Sequence, residues 1–348
     1  VLVASFLHIK TFENLTLWTN RELRSIKNWH VGRIVVPKNY KFLVKNRHLI
    51  RNGKMKILSL VISSLSLGYF NDLLFTRPLE LNLRFVGHDS HGYLAKFFLN
   101  WINNSESIQN PLRQLGLFGM YDSDWEVFPS LSNLRQLRSL TINNISSFML
   151  GEFLATLPIK QITTLHLRDT KGLNRMAFPR WVMLCRACNS FPSLFKFESL
   201  QVLSMDLHTY GLYSLCSYRG SFPQLQALQL VKSKFDARCS LIPDRRDLLW
   251  KLREKHTSDY VFPHVREVAL EGFEYLENTR ILLSIGTKTE FLTIVPSRLD
   301  SKAFLKDYFS CLLNFLSLKG QFHHLCELQA PVDIKKLKKQ FTNIKVQN

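Results

Sequence analysis

Acidic residues and cysteines are both scarce in this sequence. The chain of 348 residues has 27 Asp and Glu against 46 Lys and Arg, which gives a formal net charge of +19. This excess of positive charge favours an acidic partner, either an acidic protein or a nucleic acid. The 6 cysteines are spread over a long chain. That spread is untypical of a disulfide scaffold and indicates reduced thiols in an intracellular protein, of the nucleus or the cytoplasm.

The sequence also lacks an initiator Met, a secretory signal and a long uninterrupted apolar run. Segment 1–7 is too short for a signal peptide and has no basic start, and the absent Met leads us to expect a truncation before Val1. The most apolar stretch, residues 57–75, contains Asn71, Asp72 and several serines. It therefore predicts a strand followed by a helix, and we expect no membrane partner.

Recognised catalytic motifs are absent as well. The sequence contains no GxGxxG, HExxH or GxSxG segment. The segment from Gly286 to Thr289 lacks the upstream glycine and the Gly-Lys step of a phosphate loop. Cys185 and Cys188 have metal-site spacing, but zinc needs four ligands and no second pair lies nearby, so buried thiols on one helical face are the better interpretation. We predict no catalytic residues, no metal site and no cofactor, and we do not expect an enzyme.

One short pattern recurs through the chain: two apolar residues flank a single variable residue. It occurs at 15–17, 34–36, 58–60, 81–83, 115–117, 140–142, 165–167, 203–205, 228–230, 268–270, 292–294, 328–330 and 344–346. Successive copies are typically about 24 to 25 residues apart, and four longer intervals equal that period plus an insertion. The alternation predicts a β-strand at each copy. Helical spacing of apolar residues between the strands predicts helices at 93–101, 304–316, 147–157, 180–188, 246–256 and 274–285.

The spacing resembles that of leucine-rich-repeat proteins over essentially the whole chain. The best copies are Leu134-x-x-Leu137-x-x-Leu140-x-Ile142-x-Asn144 and Phe222-Pro-x-Leu225-x-x-Leu228-x-Leu230. The resemblance implies an α/β fold: a single solenoid over 1–348 of irregular repeats, with a curved parallel sheet on the concave face and helices on the convex face. Residues 1–30 would be an N-terminal cap or the continuation of a preceding module, and 325–348 a C-terminal cap.

The irregular repeats, the Phe-Pro-x-Leu entries, the large insertions and the many basic and aromatic residues are similar to the repeat domains of fungal F-box proteins. Those proteins are the substrate receptors of SCF-type cullin-RING ubiquitin ligases. The similarity implies a protein-binding recognition domain that positions a protein substrate for ubiquitin transfer by other subunits. An F-box preceding Val1 would bind the ligase adaptor.

Two other functions stay open at this point. The net charge favours a basic structural subunit of a nuclear assembly on chromatin or RNA, with nucleic acid as a partner. A hydrolase or transferase would need a catalytic constellation assembled from the insertions at 171–197 and 235–262. Loops that emerge from a solenoid commonly carry recognition, so these insertions are also candidates for partner choice.

Side chains alternate along a strand, so the residue between the two apolar positions and the residue after them project onto the exposed face of the sheet. Asn82 and Ser204 are among the residues at such positions. Aromatic and arginine side chains on that face suit protein recognition. The predicted partner-binding residues are Trp18, Arg84, Phe118, His166, Arg168, Asp206, Gln229 and Glu271.

Two basic runs complete the list of candidate sites. The first contains no acidic residue between its ends and consists of Lys38, Lys41, Lys45, Arg47, Arg51, Lys54 and Lys56. The second consists of Lys335, Lys336, Lys338 and Lys339. Such runs are either solvated helix faces or contacts for phosphate groups or an acidic protein.

Overall fold

In a computed structural model, the chain divides into two compact units: residues 1–149 with 156–161, and residues 150–155 with 162–348. The structure describes residues 29–36, 38–64, 73–86, 93–103, 110–120, 131–143, 154, 157–158, 160–168, 194, 196–207, 212, 215–216, 221–232, 260–297, 302–318, 320–337, 341 and 344–347. The predicted strand at 15–17 and the predicted helices at 180–188 and 246–256 lie outside these residues, as does nearly all of the predicted helix at 147–157.

The first unit contains a parallel β-sheet. Its described strands are β1 (Trp29–Val35), β2 (Met55–Ser63), β3 (Glu80–Arg84), β4 (Gln114–Phe118) and β5 (Ser139–Asn143), and its described helices are α1 (Tyr40–Lys45), α2 (Arg47–Arg51) and α3 (Tyr93–Asn103). Each strand pairs in parallel with the next one in the sequence. This order is expected when each connection brings the chain back to the end of the sheet at which the previous strand began, so that the next strand runs in the same direction.

The second unit follows the same rule. Its described strands are β6 (Thr164–Arg168), β7 (Val202–Leu207), β8 (Ala227–Lys232), β9 (Glu267–Glu271), β10 (Phe291–Val295), β11 (Glu327–Gln329) and β12 (Lys345–Gln347), with helices α4 (Tyr275–Leu283) and α5 (Lys302–Leu318). All of its consecutive strands pair in parallel. The prediction of an α/β fold built on a parallel sheet is therefore confirmed, while the single solenoid over 1–348 stays a prediction.

The recurrent apolar pattern explains why these segments are strands. In β3, for example, Leu81 and Leu83 are 1% and 0% exposed, while Asn82 between them is not buried. The same alternation marks β5, β6, β9 and β10. One face of each strand therefore contributes to the core, and the other face is left for polar and variable side chains.

Two of the predicted copies were out of register by two residues. In β2 the buried pair that aligns with the leucines of β3 is Leu60 and Ile62, whereas Leu58 is only half-buried. In β12 it is Val346 that lies opposite Leu328, so the copy at 344–346 was placed one alternation too early. A shift of two residues preserves the alternation of side chains, so only pairing with the neighbouring strand decides between the two choices.

One backbone pattern fixes where successive strands begin. The carbonyl oxygen of Arg266 accepts the amides of Glu290 and Phe291 at 2.8 and 3.0 Å. The carbonyl oxygen of Glu290 accepts the amides of Cys326 and Glu327 in the same way, at 2.8 and 3.1 Å. The carbonyls of Leu79, Arg113, Thr163, Gln201 and Gln226 each accept two consecutive amides likewise. The side chains at the starts of these strands are therefore held in rows.

The Phe-x-x-Leu entries, and the Phe-x-x-Val entry that begins at Phe262, are tight turns that precede strands. Their phenylalanines, Phe197, Phe222, Phe262 and Phe322, are all at most 2% exposed. In three of these turns the amide three residues later donates to the phenylalanine carbonyl, as for Leu200 on Phe197 at 3.1 Å. Each entry thus adds one buried ring to the core before its strand begins.

Backbone contacts with residues 262–265 explain why segment 286–289 contains a glycine and a buried threonine. A Cβ on Gly286 would lie 2.2 Å from the carbonyl oxygen of Pro263, so only glycine permits this approach. The Gly286 amide donates to the Phe262 carbonyl at 2.9 Å, and the buried hydroxyl of Thr289 donates to the Val265 carbonyl at 3.3 Å. Close packing of two backbone segments therefore explains both residue types.

Three of the predicted helices are present. α3 buries Leu94, Phe97, Phe98 and Trp101, as the helical spacing indicated, and α4 and α5 occupy the segments predicted at 274–285 and 304–316. Segment 57–75, predicted as a strand followed by a helix, contains most of β2, and its residues 65–72 lie outside the described part. Among the helices that the structure describes, none has the length and apolar character needed to cross a membrane.

Candidate protein-interaction surface

The sheet face opposite the buried pairs presents Arg84 and Phe118 in the first unit. The two residues lie opposite each other on β3 and β4, and the guanidinium of Arg84 lies 5.9 Å from the centre of the Phe118 ring. Gly116 makes room for this arrangement, because a Cβ there would lie 2.6 Å from a ring carbon of Phe118 and 2.1 Å from Oδ1 of Asn82. The structure therefore brings two of the predicted residues together as a cation–π pair.

In the second unit the structure brings Arg168, Asp206 and Gln229 together. Nη1 of Arg168 lies 3.5 Å from Oδ1 of Asp206, and Nη2 donates to Oε1 of Gln229 at 2.7 Å. The hydroxyl of Ser204 donates to the same Gln229 oxygen at 3.1 Å. Ser204 lies in the same row as Gln229 on the open face, as the alternation predicts, but neighbouring side chains cover it and it is 1% exposed. A hydroxyl is short enough to lie beneath the longer side chains of the adjacent strands.

His166 shares a row with Ser204 and Gln229 across β6, β7 and β8. Burial, and secondarily the positive charge of Arg168, lower the pKa of His166 below its ordinary value of 6.5. The lowered pKa keeps the imidazole mostly neutral at pH 7, so it adds little positive charge to this part of the sheet.

The remaining predicted positions differ in how far the structure describes them. Glu271 is exposed on β9, where it lies opposite Val231 on one side and Val295 on the other. Trp18 lies outside the described residues.

A hollow of about 500 Å³ opens on the sheet of the second unit. Its lining spans β6 to β11 and includes His166, Val202, Ser204, Ala227, Gln229, Glu267, Ala269, Phe291, Thr293 and Glu327. Ala269 and Thr293 contribute small side chains to the lining, while Phe291 is 42% exposed. The hollow is large enough to hold several side chains of a partner.

Several of these lining residues were absent from the predicted positions, among them Glu267, Phe291 and Glu327. Each of these three immediately precedes the first residue of the buried apolar pair in its strand. The predicted positions were only the residue between the apolar pair and the residue after it. Because alternation also places the preceding residue on the open face, the period of two was itself the signal that would have identified them.

The first basic run lies on α1, α2 and the segments that flank them. Lys38, Lys41, Lys45, Lys54 and Lys56 are exposed. Arg47 and Arg51 instead place their guanidinium groups over the ring of Phe75, at 5.1 and 5.6 Å from its centre. These two arginines therefore help to pack α2 onto the segment before β3, while the five lysines extend into solvent.

The second basic run is partly anchored to α5. Nζ of Lys336 lies 2.6 Å from Oδ1 of Asp307, and that hydrogen bond raises the pKa of Lys336. Nδ2 of Asn314 also donates to the Lys336 carbonyl at 2.9 Å. Lys335 is exposed, and Lys338 and Lys339 lie outside the described residues. A structural role therefore accounts for one of the two described lysines.

In the part of the chain that the structure describes, no group of three or more His, Cys, Asp or Glu side chains is placed to hold a metal ion. Cys185 and Cys188, the pair with metal-site spacing, lie outside it. No protein-family model matches the sequence, and comparison with curated proteins finds no significant similarity. The features that bear on function are therefore the open sheet face in each unit and the charges that it carries.

Proposed function

We propose that this chain is a protein-binding recognition domain of leucine-rich-repeat architecture, and that it is the substrate receptor of an SCF-type cullin-RING ubiquitin ligase. One observation carries the protein-binding proposal. The strands bury the same alternate positions, and the opposite sheet face bears side chains that differ from strand to strand. A regular backbone with a variable face suits the recognition of a particular partner. Helices on the other, convex face would complete the repeats.

The side chains on the open faces suit such a role. Arg168 is already oriented by Asp206 and Gln229, and Arg84 by the Phe118 ring. Arginine and aromatic residues dominate the energetics of many protein interfaces. Side chains that are ordered before binding lose less conformational entropy when a partner binds. These positions, with His166, Glu271 and Trp18, are the proposed contacts with the substrate.

The assignment to a ligase is supported by the irregular repeats and their buried phenylalanine entries, which resemble fungal F-box receptors. In such a receptor an F-box upstream of the repeats binds the ligase adaptor, and the repeats bind the substrate. This chain would then supply binding and orientation, while other subunits carry out ubiquitin transfer.

Affinity purification of the full-length protein from its native cells tests this function. We expect the adaptor and cullin subunits to co-purify with a protein substrate. Arg168→Ala should reduce recovery of the substrate about tenfold, because an interface arginine is lost, and leave recovery of the adaptor unchanged. The control is Lys288→Ala, at an exposed position in the turn before β10. Purification without the adaptor would contradict the ligase assignment, and purification without any protein partner would contradict the binding function.

A specific observation also favours a second candidate function, the binding of nucleic acid within a nuclear assembly. Residues 29–64 contain eight lysines and arginines and no Asp or Glu. Five of the lysines are exposed around α1 and α2. An acid-free region of this kind attracts phosphate groups, and its affinity for them should depend strongly on salt.

Fluorescence anisotropy with a labelled DNA duplex, measured over a range of salt concentrations, tests this second function. We expect the combined variant Lys41→Gln, Lys45→Gln and Lys54→Gln to weaken binding and to reduce the slope of log K against log salt by about 2 to 3, since each phosphate contact contributes about 0.9. Lys302→Gln with Lys306→Gln on α5 is the control. An unchanged slope in the triple variant, or binding that does not respond to salt, would eliminate this candidate.

A further inference from the structure

The sheet of the second unit presents an aromatic ring between two carboxylates. Phe291 on β10 lies directly opposite Glu267 on β9 and directly opposite Glu327 on β11. Neighbouring strands are about 4.8 Å apart, so the three side chains form one short row. Backbone hydrogen bonds hold Phe291 and Glu327 in place, because the Phe291 amide donates to the carbonyl of Arg266 and the Glu327 amide donates to the carbonyl of Glu290. The row is therefore built on rigid backbone.

The row borders the hollow, and its charge is opposite to that of the chain. Among the residues that the structure describes, none that lines the hollow is Lys or Arg, whereas Glu267 and Glu327 both line it. The third ionisable residue of the lining, His166, is mostly neutral at pH 7 because its pKa is lowered. A protein of net charge +19 thus has a negatively charged recess on this sheet.

A lysine beside the row neutralises its carboxylates only partly. Lys345 lies 3.5 Å from Oε1 of Glu327, and Gln347 donates to the same oxygen at 2.7 Å. That ion pair is exposed and is therefore weak. Glu267 forms no ion pair with any other side chain that the structure describes, and its carboxylate is exposed beside the ring.

We propose that the hollow binds an extended segment of a partner protein through an arginine side chain, with the guanidinium over Phe291 and between Glu267 and Glu327. The inference rests on the proposed protein-binding function and adds the chemistry of the partner. A guanidinium stacks on an aromatic face and donates to carboxylates in the plane of its fork, so it satisfies both features of the row. Alternate residues of the extended segment face the small side chains of Ala269 and Thr293.

Fluorescence anisotropy of labelled peptides, titrated with the whole chain, tests this inference. The probe is a peptide in which Arg alternates with Leu, and the comparison peptides carry Gln or Glu in place of Arg. We expect the Arg peptide to bind about tenfold more tightly than either, the combined effect of a cation–π contact and a carboxylate contact. Net charge alone predicts the opposite order, with the Glu peptide binding best.

Variants locate the binding site. Phe291→Ala, and separately Glu267→Gln with Glu327→Gln, should each weaken binding of the Arg peptide about tenfold, because each removes one half of the guanidinium contact. Glu198→Gln removes a carboxylate from an exposed position before β7, outside the hollow, and should change binding less than about twofold. The substituted side chains are exposed or half-buried, so thermal melting should show folded variants.

A tighter complex with the Glu peptide, or Arg-peptide binding that survives both sets of substitutions, would overturn the inference. Its failure is distinguishable from failure of the proposed function. If a protein partner co-purifies but the Arg peptide does not bind, only the inference fails. If the Arg peptide binds at the row but no protein co-purifies, only the proposed function fails.

Discussion

Trp101→Ala should lower the free energy of unfolding by about 3–5 kcal/mol. Trp101 is 1% exposed on α3, and its ring stacks against Phe98 at 5.8 Å between centroids. Its Nε1 donates to the Thr76 carbonyl at 3.0 Å, which connects the helix to the segment before β3. Alanine would leave a large cavity and remove one of the hydrogen bonds that the Thr76 carbonyl accepts, with Arg77 Nη1 still donating to it at 2.9 Å, so the loss of packing dominates.

Urea denaturation of the whole chain, followed by fluorescence and circular dichroism, measures this effect. Tyr93→Ala on the same helix is the matched control, because Tyr93 is 45% exposed, and it should cost less than about 1 kcal/mol. Trp101→Phe should lie between the two, since a ring remains but the hydrogen bond does not. Equal losses for Trp101→Ala and Tyr93→Ala would show that the indole is not part of the core.

Glu277→Ala should destabilise the second unit by about 2–4 kcal/mol, because it breaks a nearly buried ion pair and a helix cap together. Oε2 of Glu277 lies 3.0 Å from Nζ of Lys232 and accepts the backbone amide of Glu274 at 2.8 Å. The Glu277 side chain is 4% exposed and that of Lys232 is 15% exposed. The interaction joins the end of β8 to the first turn of α4, and alanine would remove the nearly buried carboxylate while the more exposed Glu274 carboxylate stays 3.2 Å from the lysine.

The same denaturation experiment separates the charge from the cap. Glu277→Gln keeps an oxygen that can accept the Glu274 amide, so we expect it to cost about half as much. Lys232→Met combined with Glu277→Leu removes both charges and should be less destabilising than Glu277→Ala alone. The exposed pair of Arg266 and Glu290 provides the control, and Glu290→Ala should cost less than about 1 kcal/mol. A loss for Glu277→Ala no larger than that of the control would contradict this account.

The strands were largely predictable from the sequence because burial on one face imposes a period of two that can be read without knowing the neighbours. Each of the described copies of the apolar pattern overlaps a strand. The helix around Trp101 was predictable for the corresponding reason, since its apolar residues recur at helical spacing. Register was less secure: Leu58, Leu60 and Ile62 offer two equivalent pairs, and pairing with β3 selects the second.

The candidate site was less predictable, because its contacts join strands that are far apart in the sequence. Arg168 and Gln229 are 61 residues apart, and their hydrogen bond depends on the length of the arginine side chain and on the small Ser204 between them. The ion pair of Lys336 with Asp307 could not be read from a run of lysines. Side-chain partners of this kind are set by packing, which sequence periodicity does not encode.

The sequence by itself determined that acidic residues are scarce, that apolar pairs recur at a repeat spacing, and which face of each strand is buried. These properties follow from composition and local alternation alone. The tertiary structure decided where the few acidic residues lie. It places Glu267 and Glu327 on either side of Phe291, in a chain whose net charge favours acidic partners. That placement arises from strand register across intervals of unequal length, and it points to a basic segment for this hollow where net charge alone indicated an acidic partner.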